Sequence, residues 1–541
     1  MKSVLKLLSH EKLLTGVALV LILVNSLTTV GSAITLAPLT DQLIRRNLRG
    51  VLFWLALTGG IWAVTLFLVY INSVLQAQII RKISNQLRAK IVDGLDTISL
   101  PDYQKVNHNE YVSWLTNDVN MINQNGLSIF FGLVGNCATF IFAVGSLFVY
   151  HYSLAMLTLT LGAFTLAIPH FFSKIMERET HRLSNANSRL LGKIDDMIGG
   201  FSVFFSHNIG RQLTQRIVNA SDKQGAQKVV YARNVGLVDL LINAVNVTAQ
   251  MAVLALTCLL AIQGFFTVGV ITTSGQLAGT VFSNLGQMIE GVFQMKSVPP
   301  LLKKDIKDTE ISPATANPSF KHALTIDHLT YSYDHAPLIQ NLSYRFEKGG
   351  KYALLGKSGV GKSTLIKLLS GRLQGYQGQI SIDGCDISKM AATSLNAKIE
   401  VVDQKSYIFN ETVAENINLG VTHEHSLYQR AIDFLGITSF APLNTQVKEH
   451  GNNFSGGQRQ KIALARALTF HKPILILDEV TAGIDEANAQ KIENTLLAEK
   501  GLTVIMITHH LTATTKRQLT GTLTLTPPQV SSATLANPVI A

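Results

Sequence analysis

Residues 356–364 have the types and spacing of a phosphate-binding loop, Gly-Lys-Ser-Gly-Val-Gly-Lys-Ser-Thr. The apolar run before them predicts a strand and the pattern after them predicts a helix, which is the setting that such a loop needs. Its glycines let the backbone approach an anion, and the amides at the helix start point at phosphate oxygens. Lys362 can reach the outer phosphates, and the Ser363 hydroxyl can hold Mg2+. The stretch predicts a nucleotide site, although accident alone produces the pattern in roughly 2% of chains this long.

A second motif is an aliphatic run that ends in two carboxylates. Residues 474–477 are all aliphatic and predict a buried parallel strand. Asp478 and Glu479 follow directly, at the carboxyl end where such sheets place their ligands. Asp478 would hold Mg2+, directly or through water, and Glu479 would polarise the attacking water. An apolar strand ending in Asp-Glu is weak support by itself, but behind a phosphate-binding loop it predicts nucleotide hydrolysis.

Residues 454–458, Phe-Ser-Gly-Gly-Gln, come just before a helix predicted over residues 459–470. Free amides, the Ser455 hydroxyl and the positive end of a helix together form an anion site. A flexible turn is the simpler explanation of Ser-Gly-Gly. The position shortly before the strand that leads to Asp478 favours a second phosphate-binding device.

The composition indicates a membrane protein. Of 541 residues only 15% are charged, against roughly 25% in soluble domains, and the mean hydropathy is +0.25. The apolar surplus lies before about residue 295. The net charge of +11 surrounds apolar runs and forms no dense basic stripe, so we expect membrane-flanking charge and no nucleic-acid partner. The three cysteines are far apart and predict core packing, with no metal spacing and no disulfide framework.

Six apolar runs are long enough to cross a bilayer, which needs roughly 20 helical residues. The first is too long for a secretory signal and is followed by more of its kind. The predicted spans cover residues 13–39, 51–78, 127–150, 153–172, 236–263 and 269–292, in a transmembrane domain over residues 1–300. Lys and Arg before the first span and in the long segments 81–126 and 173–235 predict a cytoplasmic N-terminus, although Arg45, Arg46 and Arg49 break this rule locally. Both long segments have helical patterns, so we expect helices that project beyond the bilayer.

Polar side chains lie within the last two predicted spans. Asn243, Asn246 and Gln250 share one helix face, and Thr280, Asn284 and Gln287 share another. The lining of a substrate path and hydrogen bonding between helices explain such residues equally well. Glu290 is the only acidic residue of the last span, and a place at the membrane interface explains it better than substrate or proton binding.

The pattern changes after the last span. Residues 301–321 are polar and contain proline, which predicts a linker. Residues 322–525 alternate strand and helix patterns, and residues 526–541 form a low-complexity tail. We therefore predict a multidomain chain, with an all-α six-helix transmembrane domain followed by an α/β P-loop NTPase domain.

These motifs, in this order and over nearly the whole chain, resemble those of the ATP-binding cassette (ABC) half-transporters of the exporter type. Residues 356–364 resemble the Walker A motif, and residues 474–478 resemble the Walker B motif. Residues 454–458 resemble the family signature, with Phe454 in place of the common Leu. Gln404 matches the Q-loop glutamine, which contacts Mg2+ and senses the membrane domain.

The resemblance also implies roles for single residues, with ATP and Mg2+ as cofactors. Tyr333 falls where the family stacks an aromatic ring on adenine, and His509 matches the switch histidine that contacts the γ-phosphate. The implied ATP-binding residues are Tyr333, Gly356, Lys357, Ser358, Gly359, Val360, Gly361, Lys362, Ser363, Thr364, Gln404, Ser455, Gly456, Gly457, Gln458 and Asp485. The implied catalytic residues are Lys362, Glu479 and His509, and the implied Mg2+ ligands are Ser363, Gln404 and Asp478.

Other segments resemble exporter-type chains with some departures. Residues 115–119, 409–417 and 445–451 fit the exporter group, although Lys448 and His450 are unusual in the segment that meets the intracellular loops. The D-loop at residues 482–485 reads Ala-Gly-Ile-Asp where Ser-Ala-Leu-Asp is usual. The family usually continues with more strands and helices after the switch histidine, so we expect a trimmed ATPase domain.

In this family the Walker A motif of one subunit faces the signature of another, so the resemblance implies a dimer with an identical or related half-transporter. It also implies an integral membrane protein of the cell membrane, with the nucleotide domain and N-terminus in the cytoplasm. ATP binding would close the cassettes and switch access across the bilayer, and hydrolysis would reset them. We expect ATP-driven export of a small molecule, lipid or peptide. An importer on the exporter fold and a cassette-gated channel or sensor are the alternatives, and the sequence does not identify the substrate.

Overall fold

The computed structural model describes residues 2–98, 100–302, 319–333, 336–480, 484, 486–508 and 512–526, in some cases, including Tyr333, by the backbone alone. The chain divides into two compact units. The helical unit comprises Met1–Gly94 and His108–Ile306, and the α/β unit comprises Leu95–Asn107 and Lys307–Ala541. The α/β unit therefore includes a short piece of the first long segment, which the predicted boundary at residue 300 assigned to the other domain.

The described part of the chain before the cassette consists of helices joined by short turns. The helices are α1 Lys2–Leu8, α2 Lys12–Ile34, α3 Leu36–Ile44, α4 Leu48–Thr97, α5 Leu100–Lys105, α6 His108–Ser113, α7 Val119–Met121, α8 Ile129–Tyr150, α9 Tyr152–Gly199, α10 Phe201–Ser206, α11 Gly210–Ile262, α12 Gly269–Met295 and α13 Val298–Leu302. Two π-helical segments, Trp114–Asp118 and Ile122–Ser128, link α6, α7 and α8. The long segments are helical, as the sequence predicts.

Three helices are much longer than a bilayer is thick. Helices α4, α9 and α11 contain 50, 48 and 53 residues. At 1.5 Å per residue each is about 70–80 Å long, whereas the hydrocarbon core of a bilayer is about 30 Å thick. Helices of this length would extend well past the hydrocarbon, in keeping with the projecting helices that the sequence predicts.

Among the described residues, four helices are long and apolar enough to cross a membrane. They are Ser3–Ile44, Leu48–Leu95, His108–Tyr150 and Gly210–Ile262, and Tyr152–Ala167 is a shorter apolar helix. All six predicted spans fall on helices, the first across the junction of α2 and α3. Helix α12, which carries Thr280, Asn284 and Gln287, is not among the four. The helical membrane domain is confirmed, and the count of six spans stays a prediction.

Helices α9 and α11 pack antiparallel to one another. Gln224 on α11 donates from Nε2 to Asn187 Oδ1 on α9 at 2.7 Å. Further along the pair, Thr165 Oγ1 donates to Asn246 Oδ1 at 3.4 Å, and both side chains are buried. Asn246 therefore forms a hydrogen bond between two helices. Of the two explanations offered for the polar residues of the spans, hydrogen bonding between helices applies to this residue.

The α/β unit contains two sheets. Its strands are β1 Ala323–Tyr333, β2 Ala336–Glu347, β3 Lys351–Leu355, β4 Gln377–Ile382, β5 Cys385–Asp386, β6 Ile399–Val402, β7 Ile474–Asp478, β8 Thr503–Ile507 and β9 Gly521–Thr524. One sheet has the order β2-β1-β4-β5 and is antiparallel. The other has the order β6-β7-β8-β3-β9 and is parallel. Aliphatic strands buried on both faces, such as β7 and β8, explain the parallel arrangement.

Helices cover the parallel sheet. They are α14 Lys362–Leu369, α15 Ala392–Asn396, α16 Val413–Asn418, α17 His425–Leu435, α18 Gly456–Phe470, α19 Glu486–Ala498 and α20 Ala513–Gln518. Buried side chains form two clusters in this unit, one beside the antiparallel sheet and one under α16 to α19. The predicted α/β class is confirmed. Most of the predicted linker and almost all of the predicted tail lie outside the described residues.

Candidate functional site

The phosphate-binding loop joins β3 to α14, as predicted. Gly356, Gly359 and Gly361 have φ values of 149°, 80° and 103°, in the region that favours glycine. A Cβ on Gly356 would lie 2.8 Å from the Leu525 carbonyl oxygen, and one on Gly361 would lie 3.0 Å from the Leu338 side chain. Glycine is therefore required at the first and last of these positions by both conformation and space.

Lys362 begins α14 and its side chain is buried. Its Nζ donates to the carbonyl oxygens of Gly356 at 2.7 Å and Lys357 at 3.2 Å. These two bonds hold the ammonium group across the loop, where a phosphate that entered the loop would offer it stronger charged acceptors. Val360 instead points into the hydrophobic core, so any contact from Val360 to a nucleotide would come from its backbone.

A cavity of about 200 Å³ opens at the loop. Its lining residues are Leu338, Ser358, Gly359, Gly361, Lys362, Ser363, Thr364 and Glu479. The cavity thus joins the loop to the carboxylate that follows β7, a combination that the sequence predicts. Leu338 on β2 was not predicted, because nothing in its local pattern distinguishes it from other apolar strand residues.

The two predicted carboxylates lie at the end of β7. Asp478 is half-buried and forms a hydrogen bond with the Ser363 side chain. Glu479 has a φ of 51°, which is uncommon for a residue with a side chain, and its Oε2 accepts a hydrogen bond from Gln404 Nε2 at 2.9 Å. Ser363, Asp478 and Gln404 together offer hydroxyl, carboxylate and amide oxygens, the donor set that suits Mg2+.

Burial raises the pKa of the Asp478 carboxyl above its ordinary value of 3.8. The Ser363 hydrogen bond and the Lys362 charge act in the opposite direction, while the charges of Glu479 and Asp403 raise the pKa further. A raised pKa means that the ionised form is disfavoured in the folded chain. This cost to folding is present at neutral pH and disappears as the pH falls below the unfolded value.

Replacing Asp478 with Asn should therefore raise the melting temperature of the chain by a few degrees at pH 8, without nucleotide or Mg2+. The gain should shrink as the pH is lowered from 8 towards the ordinary carboxyl pKa of 3.8, because the wild-type carboxyl then takes up its proton. Thermal melts at the two pH values check this. A variant that melts lower, or a difference independent of pH, would count against the account of this site.

Asp383 is the control for this prediction, because its pKa is shifted in the opposite direction. Burial works against its ionised form, but its carboxylate accepts hydrogen bonds from the backbone amides of Lys321, His322 and Ala323. Its pKa is lowered overall, so its contribution to stability is present at neutral pH and lost on acidification. Asp383→Asn should lower the melting temperature at pH 8 under the same conditions.

The residues of the predicted signature form a helix start. Ser455 caps α18, with its Oγ accepting from Gln458 N at 3.2 Å and its own N donating to Gln458 Oε1 at 2.8 Å. The helix begins at Gly456, so the predicted start at Arg459 is wrong. The two glycines lie in the first helical turn because this reciprocal cap closes around them. Within the described part of the chain, residues 455–458 do not line the cavity at the phosphate-binding loop.

Three predicted site residues lie outside the described part of the structure. They are Asp485, His509 and, for its side chain, Tyr333.

The described polar residues of the last two predicted spans differ in their hydrogen-bond partners. Asn243 donates to the Asp239 carbonyl and Thr280 to the Gln276 carbonyl. Gln287 donates weakly to Ser283, and Glu290 is exposed and accepts from Gln294 at 2.9 Å.

A helical membrane unit joined to an α/β unit with a phosphate-binding loop and two carboxylates defines a membrane-embedded nucleotide hydrolase. Family profiles identify it further. The profile "ABC transporter transmembrane region" matches residues 15–285, and the profile "ABC transporter" matches residues 339–482. The chain belongs to the ABC transporter family.

The chain is similar to curated proteins over nearly its whole length. It is 25% identical over 532 residues to the ATP-dependent lipid A-core flippase of Pasteurella multocida, covering 92% of this chain and 88% of that protein. It is 25% identical over 535 residues to the flippase of Escherichia coli K12, with coverage of 93% and 89%. The Salmonella paratyphi A flippase is 26% identical over 530 residues, with coverage of 92% and 88%.

A solved structure has the same fold. It is a bacterial Atm1-family ABC exporter with ATP bound, with a TM-score of 0.79, 21% identity and coverage of 95% of this chain and 93% of that chain. The expected exporter architecture is confirmed. The protein binds ATP, and its hydrolysis of ATP is coupled to transmembrane transport of the exporter type. The importer and channel alternatives are not favoured.

Proposed function

We propose that this exporter works as a dimer in which each ATP is enclosed between the phosphate-binding loop of one chain and the signature of another. The observation that carries this is the composition of the cavity. Among the described residues, its lining comes from the loop, β2 and the end of β7, and residues 455–458 lie elsewhere. The capped start of α18 presents amides and a hydroxyl that suit a phosphate, and a second chain would bring them to the loop. The second chain is an identical or related half-transporter.

The residue roles follow from the contacts around the cavity. Lys362 and the backbone of residues 356–364 bind the phosphates, and Ser363, Gln404 and Asp478 hold Mg2+. The metal supplies charge neutralisation at the phosphates. Glu479 orients the attacking water, and its bond to Gln404 holds the carboxylate in place before nucleotide arrives. Ser455 to Gln458 of the second chain complete the site, with Tyr333, Asp485 and His509 in the roles that the family assigns to their positions.

We place the protein in the cell membrane, with six spans and with the N-terminus and nucleotide domain in the cytoplasm. The distribution of Lys and Arg supports this orientation, and so does the need of the cassette for ATP. Residues 322–525 would form the ATPase domain, joined by a linker over residues 301–321.

The substrate path would follow α11 and α12. Gln250 on α11 lies beside Gly279 on α12, and Leu254 lies beside Gly275, so the two helices run antiparallel. Counting equal numbers of residues along both helices from this contact places Asp239 level with Glu290 and Asn243 level with Gly286, the neighbour of Gln287. Asp239 and Glu290 are exposed in the chain, and they are the only two charged residues in the six predicted spans. Intramembrane polar groups avoid lipid, which favours a water-filled path here.

We infer that the cargo is an amphiphile whose headgroup is neutral or carries a positive charge. The flippase relatives support a lipid, and the lack of Lys and Arg in the predicted spans favours such a headgroup. The test uses proteoliposomes whose outer leaflet contains fluorescent phosphatidylethanolamine, with the cassettes facing outward. We expect ATP to move the label to the inner leaflet, where dithionite cannot quench it. Movement without ATP, or in the opposite direction only, would contradict export.

A further inference from the structure

A large groove in the α/β unit is lined in part by residues of the first long segment. Its volume is about 710 Å³. Leu100, Pro101 and Tyr103 on α5 contribute to its lining, and so do Arg372 and Tyr376. Arg372 follows α14, the helix that begins at the phosphate-binding loop. Arg372 therefore borders the groove at the end of α14 that lies away from the phosphate-binding loop.

Arg372 is held by a specific ion pair. Its Nη1 donates to both carboxylate oxygens of Asp403, at 2.9 and 2.8 Å. The Arg372 side chain is 30% exposed, which restricts the other conformations that it can adopt. Ser406 Oγ also donates to the Asp403 carbonyl at 2.9 Å, so both the side chain and the backbone of Asp403 are held. The pair fixes the position of the residue directly before Gln404.

Gln404 continues the series of contacts to the site. Its Nε2 donates to Glu479 Oε2 at 2.9 Å, and this is the one hydrogen bond of the exposed Gln404 side chain among the described residues. The position of this amide therefore depends on the backbone that the ion pair holds. A shift of Arg372 would move Asp403, then Gln404, and so release or tighten the carboxylate that orients water.

We propose that Arg372 and Asp403 are positioning residues whose ion pair transmits a displacement of residues 100–103, which line the groove, to Gln404 and Glu479. The inference rests on the roles proposed above for Gln404 and Glu479. It assigns to this chain a specific side-chain link between the first long segment and the hydrolytic centre. Among the described residues no hydrogen bond of the pair reaches a phosphate-binding residue, although the charge of Asp403 acts on Asp478, so the loss of the pair should change turnover much more than nucleotide affinity.

The test measures kcat and KM for ATP with the full chain in nanodiscs. Arg372→Ala and Asp403→Ala should each lower kcat roughly 10- to 100-fold, the range expected when a reacting group is misplaced. KM should stay within about twofold, because the phosphate contacts are intact. The charge-reversed double variant R372D/D403R should recover most of the lost kcat, and Arg372→Lys should recover part of it, since one nitrogen makes both contacts.

A second measurement tests the link to the groove. Tyr103→Ala should lower kcat. In the Tyr103→Ala background, the further loss of kcat caused by Arg372→Ala should be much smaller than its loss in the wild type, because both changes interrupt the same series of contacts. Arg345→Ala is the matched control. Arg345 forms an exposed pair with Glu347 in the same unit, at 3.6 Å and away from the cavity, and its loss should leave kcat unchanged.

Three results would overturn the inference: no recovery of kcat in the charge-reversed variant, a raised KM at unchanged kcat, or full additivity of Tyr103→Ala and Arg372→Ala. Arg372→Lys, which keeps the charge, separates this role from a failure to fold. Glu479→Gln separates the inference from the proposed function. If that variant hydrolyses ATP normally, the proposed residue roles fail. If it is inactive while the Arg372 variants behave like Arg345→Ala, only the link fails.

Discussion

Glu479→Gln should bind ATP as the wild type does and lose ATP turnover by roughly 10²- to 10⁴-fold, the usual contribution of a positioned acid–base group. The carboxylate lines the cavity beside Lys362 and Ser363, where a γ-phosphate and its attacking water would meet. The amide keeps the size of the side chain and can still accept a hydrogen bond from Gln404, so the site should keep its shape. Steady-state phosphate release and binding of radiolabelled ATP measure the two quantities separately.

Glu347→Gln is the control for this change. Glu347 ends β2 in the same unit and is exposed, so the same chemical change there should leave turnover unaffected. Normal hydrolysis by Glu479→Gln would remove the central residue of the proposed mechanism. A loss of ATP binding in that variant would instead mean that the carboxylate supports the shape of the site.

Lys362→Ala should weaken ATP binding about 10- to 100-fold. The ammonium group would form charged hydrogen bonds with phosphate oxygens, each worth about 1.5–3 kcal/mol. The loss also leaves the carbonyl oxygens of Gly356 and Lys357 without the donor that now holds them, at 2.7 and 3.2 Å. The loop would therefore lose both a ligand for phosphate and a restraint on its own conformation. Equilibrium binding of ATP to the purified variant provides the measurement.

Lys367→Ala controls for the removal of one positive charge from the same helix. Lys367 is exposed near the other end of α14, so its loss should change ATP affinity little at physiological salt. Equal losses of ATP affinity in the two variants would mean that the net positive charge of the helix, and not the position of Lys362, governs binding. Unchanged affinity in Lys362→Ala would refute the assignment of the loop.

The sequence was sufficient to predict the features that depend on local patterns. The phosphate-binding loop needs glycines and a lysine within nine residues, and the β7 strand needs a run of aliphatics before its carboxylates, so both are visible without tertiary information. The α/β class follows from alternating strand and helix patterns for the same reason. The start of α18 had a visible signal that was interpreted differently: Ser455 and Gln458 have the spacing of a capping box.

Contacts between distant residues could not be predicted. Arg372 and Asp403 are 31 residues apart, and Gln404 and Glu479 are 75 apart, so neither pair leaves a periodic trace in the sequence. The grouping of Leu95–Asn107 with the α/β unit also depends on tertiary contacts. Polar residues in the predicted spans are similarly ambiguous, because only packing distinguishes Asn246, which is bonded to a neighbouring helix, from the exposed Gln287.

The most direct test of the account compares ATP hydrolysis in nanodiscs that hold one copy of the chain with hydrolysis in nanodiscs that hold two. We predict turnover in the two-chain discs, loss of most of it per chain in the one-chain discs, and none in either with Glu479→Gln. This result would mean that a second copy completes the nucleotide site. Equal turnover per chain in one-chain and two-chain discs would contradict the claim that two chains share each ATP.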